Sequence, residues 1–165
     1  MGRVGCMTGA LLLLAASFGE AAAQTSTKRV ISLAAADQIA AAAETEAKKR
    51  GSTVVIVVVD DGGYPIVLRR LDDTQVASVE VGLGKARTAA IFRRPSKVFE
   101  DQVRNGRVAA LALPGATPLQ GGVPIVFQGK VIGAIGVSGN TPQEDEDIAM
   151  AGAAVAHRAL KGTSP

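Results

Sequence analysis

The amino-acid sequence predicts an α+β domain in which helices cover an antiparallel sheet. Three observations point there. Thr53 to Val59 is an unbroken β-branched run that turns back at once through Asp60-Asp61-Gly62-Gly63, Ile125 to Ser138 repeats a hairpin pattern, and helical apolar spacing recurs at both ends of the domain. Strands joined by tight turns pair antiparallel, so the helices need not alternate with them.

The elements follow in order. Ser32 is placed to cap a helix whose apolar positions Leu33, Ala36, Ala40, Ala43 and Ala47 share a face; Lys48, Lys49 and Arg50 suit its negative end, and Gly51 stops it. Thr53–Val59 and Tyr64–Leu71 read as a hairpin, the first strand apolar on both faces and therefore central. Val76, Val79, Leu83, Ala86 and Ala90 mark a second helix. Its Gly82 and Gly84 permit close backbone approach, by a packing partner or by a ligand. Arg93-Arg94-Pro95-Ser96 ends it, with Ser96 positioned to cap a short third helix through Phe99 and Val103, closed by Asn105-Gly106. Val108–Leu113 reads as a strand, Pro114–Pro124 as a Gly/Pro-rich loop, and Ile125–Gln128 with Val131–Ser138 as a hairpin turning at Gly129-Lys130. Thr141-Pro142-Gln143-Glu144 opens the last helix with a cap, a proline at its first position and a glutamate three residues on. The count is five strands.

Residues 1–23 read as a secretory signal: Arg3 for the basic end, Ala10 to Phe18 for the apolar stretch, and Ala21-Ala22-Ala23 before the cut. A flexible segment 24–31, a single domain 32–161 and a tail 162–165 follow, in a periplasmic or secreted protein. Cys6, the one cysteine, leaves with the signal, so disulfides and Cys/His dyads are excluded from the mature chain. A single histidine gives no zinc site, and neither a G-x-G-x-x-G fingerprint nor a phosphate-loop lysine motif supports nucleotide binding. Scattered basicity with few aromatic residues argues against nucleic acid.

Two constellations can carry chemistry. Arg94, with Arg93, precedes the helix start at Ser96 and can hold carboxylates, or form a solvated basic turn. The loop through Thr117, Gly121, Gly122 and Pro124 can bring backbone close to a ligand, or simply connect two strands. His157, on the side of the last helix opposite Ile148, Gly152, Val155 and Ala159, is either an exposed or interface histidine or a metal ligand at a subunit contact. Met150, Ala153 and Ala154 share that outer side, which favours a homo-oligomer.

The stretches VVVDDGGYPIVLRRLDD, GKARTAAIFRRPS and LPGATPLQGGVPIVFQGKVIGAIGVSGNTPQEDEDIA, in that order, resemble the GlcG/HbpS family of haem-binding proteins. The resemblance implies a profilin-like domain with a five-stranded antiparallel sheet, usually homo-oligomeric, and haem as cofactor. It carries over Lys85, Arg94, Gly121, Gly122, Pro124, Gly136, Gly139 and Asp145. Relatives that ligate haem use a histidine near the first helix, and Ser32 to Gly51 holds none. Two readings stand: a binder of haem or another small anionic ligand, with service to a membrane sensor as one role open to it, or a catabolic protein acting on a small organic acid with Lys85 or Asp145 moving a proton. Mass spectrometry of exported material is expected to find a mature chain that starts at Gln24; a retained Cys6 would overturn the export argument.

Overall fold

The computed structural model describes residues 1–2 and 26–161, so most of the expected signal and the 162–165 tail lie outside the described residues. Helix α1 (Leu33–Arg50) is capped by Ser32, whose hydroxyl accepts from the Ala35 N–H, and ends at Gly51 with φ +67°. Strands β1 (Val55–Asp60) and β2 (Pro65–Arg70) form the first hairpin. Asp60 holds its turn, its Oδ1 accepting from the N–H groups of Gly62 and Tyr64 at 2.9 Å each. Helices α2 (Ser78–Ile91) and α3 (Lys97–Arg104) precede β3 (Gly122–Phe127) and β4 (Lys130–Ser138), and α4 (Pro142–Lys161) closes the fold. At its start Thr141 and Glu144 bond reciprocally as a capping box.

The sheet has four strands in the order β2-β1-β4-β3, all antiparallel. The expected fifth strand, Val108–Leu113, is instead a 3-10 turn over Val108–Ala112. Three alanines carry no strand preference, and Val108 and Leu111, three apart and thus eclipsed in a 3-10 turn, both point to solvent. The following loop is shorter than expected because the chain has rejoined the sheet by Gly122. Proline is tolerated at Pro124 because β3 is an edge strand. The second hairpin turns at Gln128-Gly129, not Gly129-Lys130: both have positive φ, +51° and +75°, as a type I′ turn requires. Ser96 does not cap α3.

β1 is central and buried on both faces, as its apolar run predicts. Ile56 and Val58 join α1 and α4 in the larger core, with Ile39, Ile125, Ile135 and Ile148; Val55, Val57 and Val59 meet Ala86, Ala89 and Ala90 of α2. α2 lies on the sheet at glycine distance. A Cβ on Gly136 would overlap the Gly82 carbonyl and stand 2.5 Å from the Ala86 nitrogen, both backbone atoms of α2. Gly82 faces the sheet, but a Cβ there would meet Val55, Val57 and Ser138 only at ordinary contact distances of 3.5 to 3.7 Å, so the close approach is enforced at Gly136 and not at Gly82.

These contacts rank two substitutions. Gly136→Ala forces a whole helix off the sheet and is expected to cost about 3 kcal/mol in urea unfolding. Gly129→Ala meets open space and strains only its turn, for about 1 kcal/mol. Equal losses at the two positions would show that the close approach of α2 is not what Gly136 permits.

Candidate functional site

Six of the residues singled out in the sequence meet in one place, inside the protein. Lys85 of α2 extends under the start of β3 and puts its Nζ 2.7 Å from Asp145 Oδ2, while also donating to the Val137 carbonyl at 3.0 Å. The other carboxylate oxygen accepts from the Asn140 N–H at 3.1 Å. Both side chains are buried, at 4% and 2% exposure. Burial pushes the Asp145 carboxyl above the usual carboxylate range, opposed by Lys85 and by the N–H groups of Asn140 and Gly139.

Gly121 and Gly122 serve this pair. With φ +124° at Gly121, a Cβ there would sit 3.0 Å from both Lys85 Nζ and Asp145 Cβ; one at Gly122 would overlap the Lys85 carbonyl. Their backbone therefore approaches protein, where the sequence suggested a ligand. Ser96 fixes the same point, its hydroxyl donating to the Leu119 carbonyl at 2.6 Å and accepting from the Gly122 N–H at 2.8 Å. Thr117 is held by its N–H, which donates to Thr88 Oγ1 at 2.7 Å, and its side chain fills the space left by Gly84. The Gln120 N–H donates to Glu100 Oε2, and its side-chain amide to Gln143 and Glu146. The glycine-rich segment is a buttress whose polar groups already have partners.

Arg94 and Pro124 stand apart from that cluster. Arg94 is exposed, its Nε donating to the Phe92 carbonyl at 3.2 Å and its guanidinium 5.9 Å from the Phe99 ring. His157 belongs to α4, but its side chain lies outside the described residues.

Concave surface occurs elsewhere. A groove of about 780 Å³ runs between residues 26–29, the tip of the β3–β4 hairpin and the end of α2, lined by Lys28, Arg29, Arg93, Phe127, Lys130 and Ile132 among others. A second hollow, about 490 Å³, is lined by Glu44, Lys48, Ser52, Arg70 and Asp72. Neither is lined by Lys85 or Asp145, so the two proton-transfer candidates do not face these hollows. The basic lining is not legible in the sequence because Arg29, Arg93 and Lys130 lie far apart in the chain, where Arg93 reads as part of a basic turn and Lys130 as a hairpin-turn residue.

A family profile described as "Haem degrading protein HbpS-like" matches residues 31–154. The chain belongs to the HbpS-like family. It is 46% identical over 76 residues to Protein GlcG of Escherichia coli strain K12, which is 46% of this chain and 57% of GlcG. The match thus spans little more than half of that relative. The HbpS-like fold is shared with the crystal structure of HbpS, at TM-score 0.75 and 32% identity over 80% of this chain and 94% of that one. A structure described as a PduOC:Heme Complex aligns at TM-score 0.70 and 27% identity, over 76% of this chain and 94% of the other.

The buried pair generates a pH-dependent prediction. Lys85→Met leaves Asp145 without its countercharge and is expected to destabilise by about 3 to 5 kcal/mol near neutrality. Without the ammonium, the folded-state pKa rises further above the unfolded value, so the folded variant keeps its proton to higher pH than the unfolded chain. Stability is then fullest below the unfolded carboxyl value and is lost as pH rises through the folded one. Urea unfolding should show a larger deficit against wild type at about pH 7 than at about pH 4. A deficit unchanged with pH would locate the cost in packing.

Proposed function

We propose that this chain binds haem, and that it does so as an exported homo-oligomer. The observation that carries the reading is the family match together with a fold shared with a haem complex over 76% of the chain. Among the described residues no group of three or more His, Cys, Asp or Glu is placed to hold a metal. Export rests on the charge and hydropathy pattern of residues 1–23. Assembly is supported by the outer side of α4, where Met150 is 55% exposed and Ala154 also faces out. Service to a membrane sensor fits an exported binder. An enzyme acting on a small organic acid has less support, because Lys85 and Asp145 are engaged with each other.

Haemin titration of the purified chain tests this. A saturable Soret change with a dissociation constant of about micromolar or below is expected, corresponding to roughly 8 kcal/mol or more. Light scattering on the same sample should give a mass above one chain. No saturable Soret change would end the haem reading; a monomer that still binds would end only the assembly claim.

A further inference from the structure

The outer stripe of α2 carries two opposite charges that the molecule leaves without counterparts. Val76, Glu80, Leu83 and Arg87 follow one another at spacings of four, three and four, the interval that lines residues up along one side of a helix. Gly82 and Ala86 turn towards the sheet, so this stripe turns away from it: Val76 is 71% exposed, and Glu80 and Arg87 are exposed too. Glu44, Glu46, Glu100 and Asp145 each pair with a cation, whereas among the described residues Glu80 and Arg87 have no ion-pair partner. The helix dipole favours Glu80 in the first turn, but Arg87 lies outside the last turn and gains nothing from it. Two turns, about 10 Å, separate the two charges along the helix, and they do not meet each other.

Arg87 differs from a loose surface arginine because its stem is guided by two bare turns. A Cβ on Gly63, φ +82°, would stand 2.6 Å from its Cγ, and one on Gly115, φ +76°, would stand 3.7 Å from its Nε. A side chain so placed loses less freedom when it pairs.

The sheet leaves an apolar corner beside this stripe. α2 lies over β1, β3 and β4, and β2 emerges beyond its flank. Leu68 of β2 stands opposite Val57, on the face that α2 covers at β1, yet it is 44% exposed. Lys85 leaves α2 towards β3 and Asp145, so Val79 and Leu83, on the other flank, look towards β2, and both are only partly buried.

We propose that a second copy of this chain covers this surface, its α2 running antiparallel across a two-fold axis beside Leu83, so that Glu80 of each copy meets Arg87 of the other. The charge pattern selects that occupant. An acid and a base at fixed separation on one stripe complement the same stripe reversed, and a two-fold contact satisfies both pairs at once. A partner surface of one sign, such as nucleic acid or an anionic membrane, would meet as much repulsion as attraction. The inference rests on the homo-oligomer half of the proposed function and goes beyond it by naming the contact and its direction; haem plays no part in it.

The test weighs the full chain by light scattering and sedimentation across micromolar concentrations. Glu80→Arg and Arg87→Glu each set like charges opposite one another, and each is expected to weaken association about tenfold or more. Because both side chains are exposed, circular dichroism and the melting temperature should stay near wild type. Mixing the two variants in equal amounts is the decisive step. One then carries two bases on the stripe and the other two acids, so association between them restores both pairs, and wild-type affinity should return. The same recovery is expected in the exchange variant that carries both substitutions. If the singly reversed chains keep the wild-type mass, or if their mixture fails to re-associate, the α2 contact is overturned while the homo-oligomer reading stands. A wild-type chain that stays monomeric throughout overturns both.

Discussion

The approach of α2 to the sheet at glycine distance is the constraint on which the rest of the structure depends. Side chains at Gly136 or Gly122 would collide with α2's own backbone, so both strands must be bare where the helix crosses. This closeness lets Lys85 reach beneath β3 to Asp145 at the start of α4 and to the Val137 carbonyl of β4, tying three elements through one ammonium. An ion pair so deeply buried adds little net stability but penalises any arrangement that separates its members. It therefore serves register: α2, β4 and α4 have one relative placement in which neither charge is stranded.

Chemistry-bearing residue types were legible in the sequence, but their purpose was not. Ser96, Thr117, Gly121 and Gly122 stand out from the basic turn and the glycine-rich loop, Lys85 and Asp145 from the family resemblance, and the six converge. What a sequence does not display is whether the space beside a glycine is filled by a ligand or by the chain itself, and here the chain fills it. Arg29, Arg93 and Lys130 failed for a different reason. Each is an ordinary exposed cation locally, and only the tertiary fold brings them to one groove.

The secondary structure was legible where local chemistry is strong. Ser32 and Gly51 bracket α1, Asp60 makes its turn, and Thr141 with Glu144 opens α4, because each of these signals acts within a few residues. Apart from the one-residue shift of the second hairpin's turn to Gln128-Gly129, the failures lie between residues 96 and 122. The signal at Val108–Leu113 was short and apolar, which does not separate strand from helix, and Ser96 spends its hydroxyl on Leu119 and Gly122 across the fold. Tertiary bonds there outrank local preference, and the sheet has four strands instead of five.

The order of strands also governs how this chain becomes a protein. β1 is apolar on both faces, and its two sheet neighbours arrive at very different times: β2 immediately, β4 only near the end of the chain, with Val55 opposite Ser138. Until β4 exists, β1 presents an open hydrogen-bonding edge and uncovered valines, the combination that recruits other chains. Closing so long a loop before any reward also slows folding. A chain cut short before Lys130 would thus carry its stickiest strand exposed, so the stretch from Lys130 onward acts as the built-in chaperone of the first hairpin.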